Sequence, residues 1–540
     1  MTSSQDAPKG AIRPLGAQIS HMLKSRGVDT IFGIPGVHNV EMYRGIEEAG
    51  IRHVLARHEQ GAAFMADGYA RATGGFGVCY VITGPGLLNT LTALGQAYSD
   101  SVSVLAISSC LDETAARRGQ LHQMLDQEAA AATVCDWSHE ATSADAAYTL
   151  VDRALTEFAT RRARPKHMQV PIALLGTPCE PAPAMPGGLQ HVGRLVPGDL
   201  SVLADDLTAA QKPLFIFGGG LGRHGNEELV RKVMHRSGAA GFTTYAGGGL
   251  LAPDDPMSFG CYLGRPDSVR VLAEADLVIA VGTELSECDL WRNELGHQST
   301  LVRVDIDPEV LSDEHRADMA IHADGVAFLE TLCAHLPESA SPKWDADMIA
   351  GTKARFRAET DAERPGIADL CDALAAAMPE DAMIYSDMTQ FAYVAKEVWD
   401  MPRAGHWHHP TGFGTLGYAL PAAIGGAVAR SGLATVCIAG DYGFQYTIQE
   451  LGTAVELGLP LPILLWDNGK LKEIEDSMVA SQIAPNAVIA QNPDFCKLAE
   501  AYGALSEAPK SLDALQAALS RAFKANGPTL IHMTPALTAK

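Results

Sequence analysis

The sequence predicts an α/β protein built from three doubly wound parallel-sheet blocks, and three observations carry that expectation. Short apolar runs rich in β-branched residues alternate with segments of helical period almost from end to end, as expected of strands covered by helices on both faces. At 540 residues the chain exceeds what one hydrophobic core fills, which calls for two to four domains. With 47% hydrophobic and 19% charged residues the composition is globular, and the glycines and prolines follow no collagen-like period, so disorder and fibre are both excluded.

In the first block, residues 1–180, strands are expected at Thr30–Ile34, Gly77–Thr83, Val102–Ser108 and Lys166–Pro171, with helices following Leu15 and Glu59. The Pro/Gly-rich run Pro178–Gly198 reads as a linker. The second block, 195–338, has apolar strands at Pro213–Phe217, Asp276–Val281 and Leu301–Ile306 and ends near the polar segment Leu336–Trp344. In the third, 360–540, strands are expected at Met383–Ser386, Thr435–Ala439, Leu461–Trp466 and Thr529–Met533, and Ile448, Leu451 and Val455 share one helical face. No sequence repeat is visible, although the first and third blocks have similar layouts.

Lys and Arg total 41 against 64 Asp and Glu, a net charge of −23, which opposes a phosphate-tracking surface and argues against nucleic acid as a partner. The ten cysteines are dispersed with no CxxC pair, as befits buried thiols in a reducing compartment. The opening MTSSQDAPKG lacks the apolar core of a signal peptide, and the uncharged stretch Thr411–Ala429 is broken by glycines and Pro421. A cytoplasmic protein without a membrane span is therefore expected.

The most informative stretch is Ile438-Ala-Gly440-Asp441-Tyr442-Gly443-Phe444, a strand entering a Gly-flanked turn and then a helix, followed after another strand by Trp466-Asp467-Asn468-Gly469. A carboxylate leaving one strand and an amide leaving its neighbour would sit side by side at the carboxyl edge of a parallel sheet, where such sheets bind ligands. Asp441 and Asn468 are oxygen ligands suited to Mg2+, and the helix start beyond Gly443 would offer backbone N–H groups to a phosphate. Each turn alone would be ordinary loop punctuation; spacing and strand context make the pair informative. Together they resemble the cofactor signature of the thiamine diphosphate enzymes of the acetohydroxyacid synthase and 2-oxoacid decarboxylase superfamily. Two positions depart from it: Tyr442 stands where Gly, Ala or Ser is usual, and Asp467 replaces an Asn. The resemblance implies Asp441, Asn468 and the carbonyl of Lys470 as Mg2+ ligands, with Tyr442 and Gly443 beside the diphosphate.

The first block supports the same resemblance through Arg57-His58-Glu59-Gln60-Gly61-Ala62-Ala63-Phe64, which looks like the segment presenting the catalytic glutamate. Without a family, Glu59 would be a first-turn carboxylate favoured by the helix dipole. With it, Glu59 hydrogen-bonds the aminopyrimidine ring and favours the imino form, whose nitrogen removes the thiazolium proton. The resemblance extends to Ile34-Pro35-Gly36 and Thr83-Gly84-Pro85-Gly86-Leu87-Leu88-Asn89. In the third block it covers Thr389 and Gln390 and the run Gly412-Phe413-Gly414-Thr415-Leu416-Gly417, where Leu416 stands at the bulky residue that bends the cofactor. It thus assigns cofactor contacts to Pro35, Pro85, Asn89, Thr389, Gln390, Gly414 and Leu416. The blocks become pyrimidine-binding, Rossmann-like middle and diphosphate-binding domains. Phe217-Gly218-Gly219-Gly220-Leu221-Gly222 does not form GxGxxG; some family members hold FAD in this block, and FAD is not expected here.

Decarboxylases and carboligases of this superfamily share CO2 loss from a 2-oxo acid and then part: protonation releases an aldehyde, whereas attack on a second carbonyl joins two substrates. The run His122-Gln123-Met124-Leu125-Asp126-Gln127 resembles the segment that places a glutamine near the reacting carbon, which nominates Gln123. Asp136, where the synthases tend to carry a lysine, and Ser477, where the biosynthetic enzymes carry a tryptophan, count against branched-chain amino-acid synthesis. The paired histidines of pyruvate decarboxylase's first domain are missing, and His406, His408 and His409 lie in the wrong block to replace them.

The segment after the metal turn carries Glu473, Glu475 and Asp476, which could pair with a cationic substrate tail or form a solvated face equally well. This segment and the opening Phe32-Gly-Ile-Pro35-Gly-Val37-His38-Asn-Val-Glu41 resemble bacterial decarboxylases acting on 5-guanidino-2-oxopentanoate, so Val37, His38 and the three carboxylates are candidate substrate residues. The expected activity is non-oxidative decarboxylation of a 2-oxo acid, with a carboligase of the acetolactate synthase type as the alternative. A homodimer or homotetramer with active sites at the subunit interface is implied by the family.

Overall fold

A computed structural model describes residues 10–113, 118–184, 195–222 and 225–538; most of the opening decapeptide and residues 185–194 of the expected linker lie outside the described residues. The three expected blocks each form a six-stranded sheet flanked by helices. The chain divides into two compact units, one built on residues up to Val192 together with Ile424–Ala429, the other on the remainder.

In the first sheet the strands lie in the order Arg52–Leu55, Thr30–Gly33, Gly77–Val81, Val104–Cys110, Lys166–Pro171, Trp137–Glu140, with every neighbouring pair parallel. In the third the order is Trp407–His408, Met383–Ser386, Thr435–Gly440, Pro462–Trp466, Thr529–Met533, Leu505–Glu507, again all parallel. Counted along the chain, both sheets run second, first, third, fourth, sixth, fifth, so the likeness in layout is an identity of topology. The middle sheet instead runs Ser258–Gly260, Ala240–Thr243, Pro213–Phe217, Leu277–Val281, Thr300–Asp305, Met319–His322, the Rossmann order.

The strands visible in the sequence are those buried on both faces: every residue of Gly77–Val81, Val104–Cys110, Pro213–Phe217, Leu277–Val281 and Pro462–Trp466 is buried. Those not foreseen are mostly short or at sheet edges, such as Arg52–Leu55 and Met319–His322, whose outer residues face solvent and whose composition is mixed. Asp276 falls before its expected strand because its carboxylate accepts the N–H groups of Gln211 (2.6 Å) and Lys212 (2.8 Å). Within the expected linker, Pro178–Cys179 forms a short antiparallel pair with Arg13–Pro14. Past Leu336, Trp344 is 4% exposed and donates its indole N–H to Pro213 O (2.8 Å), and Ile349 and Phe356 of the helix Ala346–Glu363 join the same middle core.

The middle glycines have a packing reason. A Cβ at Gly218 would lie 2.2 Å from Gly282 O and one at Gly220 2.9 Å from Gly282 Cα, so the loops leaving two adjacent strands touch backbone to backbone.

In the first unit, His167 is fully buried between Ser108 Oγ (2.8 Å from Nε2) and Ser138 Oγ (2.7 Å from Nδ1), and burial pushes its pKa from 6.5 down to about 3. Between those values the unfolded chain takes up a proton that the folded one refuses, so stability present above pH 6.5 is lost as pH falls towards 3. In denaturant titrations, His167→Gln should flatten the acid side of the stability curve by up to about 1.4 kcal/mol per pH unit. An unchanged slope between pH 6.5 and 4 would show that His167 is protonated in the fold.

Candidate active site

In the first unit three segments leave the carboxyl ends of adjacent strands. Thr30–Gly33 leads into Ile34-Pro35-Gly36, Gly77–Val81 into Thr83-Gly84-Pro85-Gly86, and Arg52–Leu55 into the helix Glu59–Thr73. Asn39, fully buried, ties the first turn by accepting Gly36 N–H (2.6 Å) and donating to Ile34 O (3.3 Å); Pro35 and Val37 stay exposed on it. Glu59 is the first residue of its helix, which His58 caps by accepting Gln60 N–H at Nδ1 (3.2 Å). Asn89, on the helix Pro85–Ser99, donates to Glu59 Oε2 (2.9 Å), while Glu59 Oε1 lies 3.5 Å from where a Cβ of Gly86 would stand. Two sequence candidates, Glu59 and Asn89, are therefore partners; a Cβ at Gly86 would strike Ile82 Cγ2 at 2.6 Å, so the turn takes glycine there.

The glutamine that reaches this edge is Gln127. Its Oε1 accepts Gly84 N–H (2.8 Å), and its amide donates to Ser109 O, Ser108 Oγ and Gln169 Oε1. Gly84 has φ of +68°, and a Cβ there would meet His122 O at 2.5 Å, so the turn needs glycine. Gln123, the expected substrate-side residue, directs its Oε1 to Gly119 N–H (3.1 Å) and Gln120 N–H (3.3 Å) of its own loop. His38 meets His122, Nδ1 to Nδ1 at 3.2 Å, with the rings edge to face. Burial, and then the neighbouring His122, hold the His38 pKa below the ordinary imidazole range.

In the second unit the segments after four adjacent strands converge. The helix begins at Asp441 itself, with Gly440 as its cap, so the expected turn before it is absent and Gly443 sits inside the first helical turn. Asp441 is 4% exposed: Oδ1 accepts Tyr442 N–H (3.0 Å), and Oδ2 accepts Gly469 N–H (3.0 Å) and Asn492 Nδ2 (2.6 Å). Asn468 donates from Nδ2 to Gln390 Oε1 (3.0 Å) and accepts Lys470 N–H at Oδ1 (3.2 Å). The strand neighbours Thr435–Gly440 and Pro462–Trp466 thus bring Asp441 and Asn468–Lys470 together as the sequence suggested.

Asp467, the departure from the family signature, takes Asn492 Nδ2 at Oδ1 (2.8 Å) and His532 Nε2 at Oδ2 (2.8 Å). Burial, with the like charge of Asp467 behind it, raises the Asp441 pKa; burial acts the same way on Asp467 but is outweighed by His532 and Asn492, which leave it low. Among the described residues no group of three His, Cys, Asp or Glu side chains is placed to hold a metal; the candidate set is one carboxylate, one amide and one main-chain carbonyl. Two neighbouring carboxylates with His532 as partner to only one of them are an oxygen-rich, electronegative setting that fits a hard divalent cation.

Asp387 and Asn492 were not foreseen. Asp387 is 1% exposed; Oδ2 accepts Gly417 N–H (2.7 Å) and Oδ1 accepts Met388 N–H (2.9 Å). Burial pushes its pKa up to about 7 against the pull of those amides. Its place at the end of the apolar strand Met383–Ser386 was the signal available. Asn492 lies in a loop joined to Asp441 only by tertiary structure, and no local pattern marks it.

The acidic segment forms the helix Lys472–Ala480, none of whose residues is buried. Glu473 receives the Arg364 guanidinium in a fork, Nε to Oε1 at 3.1 Å and Nη2 to Oε2 at 2.8 Å. Glu475 pairs with Lys470 (3.0 Å), and Asp476 with Lys472. Each candidate substrate carboxylate therefore already faces a cation of this chain.

Comparison with known proteins matches residues 13–130 to the N-terminal TPP binding domain of the thiamine pyrophosphate enzymes, 200–332 to their central domain and 387–533 to their C-terminal TPP binding domain. The chain is 43% identical over 532 residues to a probable 2-ketoarginine decarboxylase of Pseudomonas aeruginosa, covering 96% of this chain and 93% of that protein. It is 29% identical to the acetolactate synthase isozyme 2 large subunit of Escherichia coli, over 96% of this chain and 95% of that one. An acetolactate synthase of Mycobacterium bovis is also 29% identical, over 90% and 82%.

Proposed function

The chain belongs to the thiamine pyrophosphate enzyme family, and from that premise we propose that it decarboxylates 5-guanidino-2-oxopentanoate, 2-ketoarginine, to the corresponding aldehyde and CO2. The observation that carries the substrate is the likeness to a probable 2-ketoarginine decarboxylase, well above that to the acetolactate synthases and spread over nearly the whole chain. When bound, thiamine diphosphate supplies the nucleophilic carbon and the electron sink that allow a 2-oxo acid to lose CO2.

The chain's own residues bind, orient and move protons around it. Glu59, oriented by the Asn89 amide, would hold the pyrimidine ring and carry a proton at Oε1. Pro35 and Pro85 shape the turns beside that ring. Asp441, Asn468 and the carbonyl of Lys470 would hold Mg2+, which would supply positive charge to the diphosphate; Thr389, Gln390, Gly414, Tyr442 and Gly443 would line the rest, and Leu416 would pack against the cofactor. We take residues 1–180, 195–338 and 360–540 as the pyrimidine-binding, middle and diphosphate-binding domains of a cytoplasmic homodimer or homotetramer with active sites at the subunit interface. Among the described residues no helix is long and apolar enough to cross a membrane.

The reading is tested by CO2 release from 5-guanidino-2-oxopentanoate and from pyruvate, with Mg2+ and thiamine diphosphate, with and without an acceptor aldehyde or second 2-oxo acid. At least a tenfold kcat/KM preference for the guanidino acid and free aldehyde as product are expected. Preference for pyruvate with a condensed product would establish the carboligase instead.

Of the three acidic-helix carboxylates, Glu473 is assigned to the substrate tail, because it already accepts a guanidinium through two parallel hydrogen bonds. An incoming guanidinium would exchange with Arg364. Glu473→Gln should lower kcat/KM for the guanidino acid at least tenfold, about 1.4 kcal/mol, and that for pyruvate less than threefold. Equal losses on both would remove this helix from substrate recognition.

A further inference from the structure

Three loops that the cofactor reading needs together leave different strands: Gly412–Gly417 with Leu416, the helix start Gly440–Gly443 with Asp441, and the turn at Asn468. One four-residue segment, Asp387-Met388-Thr389-Gln390, touches all three. Gln390 Oε1 accepts Asn468 Nδ2 (3.0 Å). Thr389 caps the helix Gln390–Val398 and lies so near Gly440 that a Cβ there would stand 3.3 Å from Thr389 Cβ. Asp387 Oδ2 takes Gly417 N–H (2.7 Å) and fills the space where a Cβ of Gly443 would fall, 2.3 Å away. Gly417 is gripped through its carbonyl as well, since Thr447, at the end of the Asp441 helix, donates its hydroxyl to Gly417 O (2.9 Å). Gly417 has φ of +85°, so this residue is held in a conformation favouring glycine by partners on both its N–H and its C=O.

We propose that Asp387 is a positioning residue that sets Leu416 against the start of the Asp441 helix, so that the two sides of the diphosphate-binding face are fixed before the cofactor arrives. A carboxylate is the side chain this place requires. Oδ1 and Oδ2 each accept a backbone N–H, and in an isosteric amide one of those positions becomes an NH2 group facing an N–H, whichever way the amide is turned. Asp387→Asn therefore preserves volume and breaks one tie. Pre-set loops bind without the cost of ordering themselves, and the benefit is read as cofactor affinity.

This inference rests on the assignment of Leu416 and Asp441 to the cofactor, and the experiment separates the two. Thiamine diphosphate is titrated calorimetrically, at saturating Mg2+, into the full-length wild type, Asp387→Asn, Leu416→Ala and the double variant, and the half-saturating cofactor concentration for turnover is measured alongside substrate KM. Asp387→Asn should raise the cofactor Kd at least tenfold and the half-saturating concentration equally, with substrate KM changed less than threefold once cofactor is saturating. Because Asp387 acts through Leu416, the double variant should bind little worse than Leu416→Ala alone. Thr447→Val, which releases Gly417 at its carbonyl, carries the same expectation if Asp387→Asn does not fold. Wild-type affinity in Asp387→Asn, losses that add fully in the double variant, or a reduced active fraction at unchanged affinity would each overturn the positioning role. Failure of the wild type itself to bind thiamine diphosphate would overturn the cofactor assignment.

Discussion

Glu59→Gln is expected to lower kcat by about a thousandfold, within the usual span of proton-transfer catalysis, while leaving thiamine diphosphate affinity within about threefold of wild type. The substitution keeps the side chain's length and its carbonyl oxygen, so Asn89 still finds an acceptor where Oε2 now stands, 2.9 Å from its amide nitrogen. What it removes is the group at Oε1 able to exchange a proton with a pyrimidine nitrogen. Affinity should be spared because the residues proposed to hold the diphosphate and Mg2+ are others, whereas the rate should depend on that proton. Hydrogen–deuterium exchange at the thiazolium carbon, followed by NMR in quenched samples, reads the step directly. Exchange at the wild-type rate would show that Glu59 plays another part. Asn89→Ala should reproduce a smaller share of the loss, since the carboxylate would remain but lose the partner that turns it.

The strands and the site differ in how legible they were, for physical reasons. A strand buried on both faces must be apolar throughout, so Val104–Cys110 and Pro462–Trp466 announce themselves, whereas an edge strand such as Met319–His322 satisfies only one face and looks like loop. Glu59, Asp441 and Asn468 were legible because each leaves the carboxyl end of a strand in a motif of recognisable spacing. Gln127 has no signal of its own beside Gln123, four residues earlier in the same run, and only the fold shows that Gln127 accepts Gly84 N–H while Gln123 Oε1 accepts Gly119 N–H. Asn492 and His532 reach Asp441 and Asp467 across long stretches of chain, so no local signal could have named them. The acidic segment allows two readings on sequence, a partner for a cationic substrate tail or a solvated face of Lys–Glu pairs, and only the fold shows which cations of the chain stand opposite it: Arg364 at Glu473, Lys470 at Glu475 and Lys472 at Asp476.

The loss of cofactor should be greatest at Asp441. Asp441→Ala is expected to raise the Kd for thiamine diphosphate at saturating Mg2+ by more than a hundredfold, about 2.8 kcal/mol at 1.4 kcal/mol per tenfold, so that the variant emerges from gel filtration without cofactor. The carboxylate is nearly buried, and Gly469 N–H and Asn492 Nδ2 fix its Oδ2 against the turn that carries Asn468 and Lys470. Its removal withdraws the only charged oxygen of the candidate ligand set, and with it the charge that would hold the proposed metal. The same change strands the donors that Asp441 satisfied, at about 1–3 kcal/mol for an unsatisfied buried group, so a fall in stability alone would be ambiguous. Asp467→Asn resolves this, because that carboxylate lies beside the same loop and shares Asn492, yet is directed to His532 and stands outside the proposed ligand set. It restores the amide of the family signature, and it should hold cofactor within about threefold of wild type. Retention of thiamine diphosphate by Asp441→Ala, or equal losses in both variants, would place the metal elsewhere in the fold.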